Sequence, residues 1–263
     1  MIGVFDSGVG GLTVLKSFLQ ALPQYDYLYL GDNARAPYGD KDQETIYHST
    51  KQCVAWLIGQ GCSLIILACN TASADALRHL QADHLGQPVR ILGVTIPLAK
   101  AAARQARGRV GVLATRSTVA SGSYPREVHK INPALTVVQV AAPLLVPLIE
   151  ENMERKPLTQ RVIKGYVRQL TSQRVEDIIL GCTHYEFIRE RIQRYAGSKI
   201  KVLDSGTIIA DSLVDYLSRH LEIREQLTTD RQRRYVTTGD AGRFEKSAVK
   251  FLGQLIKAEK IEL

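Results

Sequence analysis

Leu64-Ile65-Ile66-Leu67-Ala68-Cys69-Asn70-Thr71 is a short apolar run that ends at a cysteine and then turns polar. Asp177-Ile178-Ile179-Leu180-Gly181-Cys182-Thr183-His184, 113 residues further on, has the same form. A run of this kind, apolar without alternation, fits a strand with helices on both faces, as in parallel α/β sheets. Two more strings repeat in the same order. Gly3-Val4-Phe5-Asp6-Ser7 is matched by Gly111-Val112-Leu113-Ala114-Thr115, 108 residues later, and Ile91-Leu92-Gly93-Val94-Thr95 is loosely echoed by Val202-Leu203-Asp204-Ser205-Gly206. Each pair alone is weak, because short apolar strings match by chance. Three in one order at nearly one offset predict two similar halves.

Working outward, apolar runs alternate with helical patterns along the chain, the mark of parallel α/β architecture. Strands are expected at Ile2–Phe5, Tyr27–Leu30, Leu64–Ala68, Arg90–Val94, Val110–Leu113, Thr136–Val140, Asp177–Leu180 and Lys201–Leu203. Helices are expected between them, among others at Gly11–Leu22, Gln43–Gln60 and Thr71–Leu80. The expected fold is two similar parallel-sheet α/β domains facing each other across a central cleft. One would comprise residues 1–94 plus 207–263, the other residues 95–206.

The 263 residues suffice for one large domain or two smaller ones, each with a buried core. With 45% hydrophobic and 23% charged residues the composition is that of a soluble globular protein. No apolar run approaches the roughly 18–20 residues of a membrane span. The opening Met1-Ile2-Gly3-Val4-Phe5-Asp6 reads as a strand rather than a signal peptide, so a cytoplasmic location is expected. The formal charge of +8 raises the question of nucleic acid. Its basic residues are dispersed, with a mild concentration at Arg219–Arg234 that also holds Glu222, Glu225 and Asp230. A solvated helix-and-loop face is the expected reading, and the charge would also help attract an anionic substrate.

The four cysteines, Cys53, Cys62, Cys69 and Cys182, are too few for a disulfide framework in a chain of this length. No CxxC pair occurs and no metal site is expected. Cys53 lies in an apolar helical pattern and Cys62 just before a strand, so both read as structural. Cys69 and Cys182 differ. Each would end a repeated strand, and ligands of open parallel sheets bind beyond the carboxyl ends of strands. Across a cleft, two thiols would approach one substrate from opposite sides. That geometry suits removal of a proton from one face of a carbon and its return to the other, with two acid–base groups instead of one. Each cysteine also precedes a helix N-terminus, whose free N–H groups favour a thiolate. Without a pyridoxal or flavin electron sink, a preorganised polar site must stabilise the carbanion.

Five motifs add a resemblance that runs essentially end to end. Phe5-Asp6-Ser7-Gly8-Val9-Gly10-Gly11-Leu12, Gly31-Asp32 with Pro37-Tyr38-Gly39, Ala68-Cys69-Asn70-Thr71-Ala72, Gly181-Cys182-Thr183-His184-Tyr185 and Val236-Thr237-Thr238-Gly239-Asp240 resemble, in order, the motifs of the glutamate racemase family. The resemblance implies that Cys69 and Cys182 are the acid–base residues, Cys69 facing the α-hydrogen of the D enantiomer and Cys182 that of the L enantiomer. It implies Asp6 beside Cys69, His184 beside Cys182, and a family glutamate at Glu150, with Glu151 adjacent. Asp6, Ser7, Pro37, Tyr38, Gly39, Asn70, Thr71, Thr115, Thr183 and His184 would bind substrate. It further implies no cofactor, a homodimer, and a supply of D-glutamate for peptidoglycan.

Other readings stand beside this one. A cysteine ending a buried strand is often only a small core residue, but the repeated pair inside matching motifs argues otherwise here. Gly8-Val9-Gly10-Gly11 follows a strand and opens a helix without fitting GxGxxG, and Asp6 would repel a pyrophosphate. The closest rival is a relative with two cysteines, an aspartate or hydantoin racemase or a maleate isomerase. A basic protein with a nucleic-acid or gyrase-related role is the alternative from another class.

Overall fold

The computed structural model describes residues 1–263. In chain order its strands are β1 (Ile2–Asp6), β2 (Tyr27–Gly31), β3 (Leu64–Leu67), β4 (Arg90–Gly93), β5 (Arg109–Ala114), β6 (Thr136–Ala141), β7 (Asp177–Gly181), β8 (Lys201–Val202), β9 (Arg233–Thr237) and β10 (Ala258–Lys260). They form two parallel sheets, ordered β10-β9-β2-β1-β3-β4 and β6-β5-β7-β8. The unit β2-β1-β3-β4 of the first sheet is repeated as β6-β5-β7-β8 in the second, so the repeated strings are equivalent strands of two α/β halves. β1, β2, β3 and β7 are buried along their whole length, which is why they lack polar alternation.

Strand order reverses beside β1 in the first sheet and beside β5 in the second. Register fixes what emerges there. Phe5 pairs with Leu67, so the chain leaves β1 and β3 with Asp6-Ser7 next to Ala68-Cys69. Ala114 pairs with Gly181, so Thr115 and Cys182 leave β5 and β7 together. These are the switch points at which parallel sheets bind ligands.

The helices Thr95–Gln105 and Ser205–Arg219 carry the chain from one sheet to the other and back; Ser205–Arg219 packs on both Thr95–Gln105 and Leu12–Ala21. Asp204 caps the return helix by accepting from the Thr207 N–H at 3.0 Å. A contiguous core of 56 buried residues draws side chains from both sheets and these helices, whereas a second core of 19 covers only the other face of the first sheet. The halves are thus fused by shared apolar burial. No helix is long and apolar enough to cross a membrane.

Three local features differ from expectation. The helix expected at Thr71–Leu80 is two, Asn70–Asp75 and Leu77–Asp83, and at the break Asp75 accepts the Ser117 hydroxyl at 2.6 Å. β9 and β10 extend the first sheet unannounced. β9 begins with Arg233 and Arg234 inside the basic run, and β10 is a three-residue polar edge. Arg233 is accordingly not a solvated charge: its guanidinium donates to the carbonyls of Pro23 and Tyr25 and lies 5.0 Å from the Tyr27 ring centroid.

Candidate active site

The two switch points open onto one cavity. Its water-accessible interior is about 60 Å³. Cys69 and Cys182 both line it, as do Ser7, Pro37, Tyr38, Gly39, Asn70, Thr71, Thr115, Glu150, Thr183 and His184. Gly8, Ala36, Asp40, Pro143, Val146, Pro147 and Tyr185 complete the wall. Cys53 and Cys62 are buried elsewhere: Cys53 meets the Arg35 guanidinium at 3.3 Å and Cys62 packs under Gly3.

Asp6 is the exception among the residues expected at the site. It lies behind the wall, 1% exposed, with its carboxylate turned back to accept the Gly8 N–H at 2.9 Å. Thr183 of the other half reaches it at 3.5 Å. Its neighbour Ser7 shares a hydrogen bond with the Cys69 thiol at 3.3 Å. Asp6 therefore reaches the cavity only through the Thr183 hydroxyl and through its charge on Cys69.

The surroundings of Cys69 modify the helix-terminus expectation. The Ala72 N–H does reach its sulfur, at 3.5 Å, and favours the thiolate together with Ser7. Burial and the negative charge of Asp6 outweigh both and push the thiol up to about 12. Asp6 is itself raised above the ordinary carboxylate range, by burial against the opposing pull of His184 and the Gly8 and Gly11 N–H groups. Cys69 is thus held as a thiol, ready to donate.

On the opposite wall the charges have the other sign. His184 Nε2 lies 2.8 Å from Glu150 Oε1. Burial opposes an imidazolium there, but hydrogen bonding and charge from Cys182 and Glu150 prevail and push His184 up to about 10. Burial would raise Glu150, yet His184 and Lys250 bring it below its usual value. Of the two adjacent glutamates, Glu150 is the one on His184; Glu151 is exposed just beyond the helix Leu145–Glu150.

The glycine loop owes its composition to this site. A Cβ on Gly10 would stand 2.3 Å from Thr183 Oγ1 and 2.6 Å from His184 Nδ1, and one on Gly11 would stand 2.6 Å from Asp6 Cβ. Neither glycine has positive φ, so close approach to the protein's own polar side chains is the reason for them.

Several supporting residues carry no clear signal in the sequence. Thr118 is buried and completes a ring of three hydroxyls with Thr71 and Thr115, at 2.9–3.3 Å, that ties the halves together. Its trace is local: Thr115 caps the helix Arg116–Ala120 by accepting the Thr118 N–H. Tyr124 donates to Asn70 Oδ1 at 2.7 Å, fixing the amide beside Cys69. Asp32 is fully buried and accepts from the Tyr38 hydroxyl, the Arg35 guanidinium and the Thr238 hydroxyl. It anchors the Pro37-Tyr38-Gly39 wall, and the Tyr38 hydroxyl is engaged there instead of in the cavity.

Comparison with known proteins places the chain among relatives. The family model for Asp/Glu/hydantoin racemases matches residues 2–213. A glutamate racemase of a Synechocystis species is 38% identical over 264 residues, spanning all of this chain and 92% of that protein. Among solved structures, the glutamate racemase isoform RacE1 from Bacillus anthracis superposes with a TM-score of 0.92 at 31% identity, over 100% of this chain and 97% of that one. The glutamate racemase from Francisella tularensis, crystallised with D-glutamate, gives a TM-score of 0.90 at 32% identity, over 99% and 97%.

Proposed function

The chain belongs to the Asp/Glu/hydantoin racemase family, and from that premise we propose that it interconverts L- and D-glutamate by a two-base mechanism. The observation that carries the reading is the pair of cysteines at the ends of equivalent strands, β3 and β7, on the wall of one cavity. From L-glutamate, Cys182 as thiolate takes the α-hydrogen while the Cys69 thiol supplies a proton to the opposite face. The reverse reaction exchanges the roles. The two thiols account for both proton transfers, so the mechanism needs no cofactor.

The high affinity of Cys69 for its proton suits it to donate. For the reverse direction it must ionise. The ammonium of bound substrate supplies the positive charge that burial and Asp6 deny it. The Ser7, Thr71, Thr115 and Thr183 hydroxyls and the Asn70 amide line the cavity as partners for the two carboxylates. Their fixed orientation stabilises the charge that develops at the α-carbon. We further propose a cytoplasmic homodimer that supplies D-glutamate for peptidoglycan. Light scattering on the purified protein tests the dimer: a mass of one chain rejects it.

The test of the activity is incubation with L-glutamate in heavy water without added cofactor, followed by optical rotation and α-deuterium NMR. D-Glutamate deuterated at the α-carbon is expected from the wild type and is lost in Cys69→Ser and Cys182→Ser. Turnover of L-aspartate instead would keep the mechanism and change the substrate. No exchange with either amino acid would reject the catalytic reading.

A further inference from the structure

Lys250 lies outside the cavity and outside every motif of the sequence, at the end of the helix Ala241–Phe251. Its side chain is 15% exposed, unusual for a lysine. The ammonium has three donors and meets three acceptors: the Ile149 carbonyl, Asn152 Oδ1 at 2.9 Å and Glu154 Oε2 at 3.3 Å. All three surround the C-terminal end of the helix Leu145–Glu150, where the helix dipole favours a cation and the Ile149 carbonyl, already accepting the Asn152 N–H, has a second lone pair to offer. The Phe187 ring centroid is 4.7 Å from the ammonium, and the adjacent Phe251 sets its ring edge-on to His184 at 5.3 Å. The helix Ala241–Phe251 belongs to the chain segment between β9 and β10 of the first sheet, whereas its acceptors lie between β6 and β7 of the second. One lysine therefore pins the end of a helix of the other half, and the last residue of that helix is Glu150.

We infer that Lys250 is a positioning residue for the Cys182 side of the reaction, holding the end of the helix Leu145–Glu150 so that Glu150 stays on His184. This rests on the two-thiol reading above. The positive charge of Lys250 also favours ionised Glu150, which strengthens the same pair. Cys69 and Ser7 touch no member of this arrangement and Asp6 feels His184 and Glu150 only through their charge, whereas His184 is bonded directly to Glu150, so the effect falls mainly on one of the two proton transfers.

That asymmetry makes the inference testable. Enantiomers have equal energy, so any variant must lower kcat/KM equally in both directions; the rates alone cannot say which thiol is affected. Isotope effects can. With α-deuterated L-glutamate the deuteron leaves through Cys182, and with α-deuterated D-glutamate it leaves through Cys69. Wild type, Lys250→Met and Lys250→Arg are compared with both substrates, and melting curves confirm that each variant is folded. Lys250→Met is expected to lower kcat/KM roughly tenfold, the effect of about one pK unit on a catalytic pair. Its isotope effect on kcat/KM is expected to rise for L-glutamate and fall for D-glutamate, and Lys250→Arg to restore most of both. Unchanged rates, a loss of rate with unchanged or equally changed isotope effects, or the opposite asymmetry would overturn the inference. Should Lys250→Met not fold, Lys250→Gln, which keeps a donor but not the charge, is read by the same criteria. A wild type inactive on glutamate would instead reject the reading on which the inference rests, before any variant is compared.

Discussion

Asp6 and His184 give the two walls of the cavity opposite electrostatic character, and each supports a prediction. After burial, the charge of Asp6 is the largest cause that raises the Cys69 thiol, so Asp6→Asn is expected to lower the pH at which Cys69 is alkylated by iodoacetamide while reducing turnover. An alkylation profile that stays in place would show that the charge of Asp6 does not set the thiol. His184 is raised in the folded protein above its ordinary value of 6.5, to about 10. A raised histidine contributes its full stabilisation below about pH 6.5 and loses it as pH climbs through about 10. Because Glu150 is nearly half exposed, its pairing with His184 contributes at most about 1 kcal/mol, or a few degrees in Tm. The Tm gap between wild type and Glu150→Gln should be widest near pH 6 and close by pH 11. A gap independent of pH would mean that the pair is not ionic.

At the scale of elements, the turn from β1 into the helix Leu12–Ala21 offers a contrast between two glycines. Gly10→Ala places a methyl against Thr183 and His184, whereas Gly8→Ala meets only Asn33, at 3.6 Å. Gly10→Ala should destabilise by roughly 1–3 kcal/mol through overpacking. It should also cost about 100-fold in kcat, because a side chain displaced by an ångström is enough for that. Gly8→Ala should leave the melting temperature near wild type, and equal behaviour of the two in melting and turnover would contradict the packing argument. The same loop shows what was legible beforehand. Strands buried on both faces declare themselves as unbroken apolar runs, as β1, β2, β3 and β7 do, and the recurrence of the β3 run in β7 placed both cysteines. The far side of the first sheet, β9 and β10, could not be read in this way. β9 is disguised by Arg233 and Arg234, whose guanidinium groups, one bond from Arg233 to the Gln232 carbonyl apart, find their partners on distant segments. The supporting residues Tyr124 and Lys250 are invisible for the same reason, since what they meet lies far away in the chain, whereas Asp32 and Thr118 have local partners in Arg35, Tyr38 and Thr115 but meet Thr238 and Thr71 only in the fold.

For the whole molecule, the core shared by both halves predicts a single cooperative unfolding transition, with calorimetric and van't Hoff enthalpies in agreement. Two separable transitions would show that the halves fold independently. Because the cavity is built from both, ligand must stabilise the entire unit. Glutamate at 100 times its Kd should add about 2.7 kcal/mol, equivalent to roughly 5–10 °C in Tm by differential scanning fluorimetry, with L-aspartate at the same concentration giving less. The route of the chain between the sheets bears also on the growing polypeptide. β2, Tyr-Leu-Tyr-Leu-Gly, is fully buried between β1 and β9 in the finished protein. Its neighbour β9 begins only at Arg233, so during synthesis at about 5–20 residues per second β2 remains an unprotected, apolar sheet edge for roughly 10–40 s. The second sheet, complete by Val202, has all its strands before then. Nascent chains stalled in that interval would be the form of this protein most prone to pair with one another, edge to edge, and most in need of a chaperone.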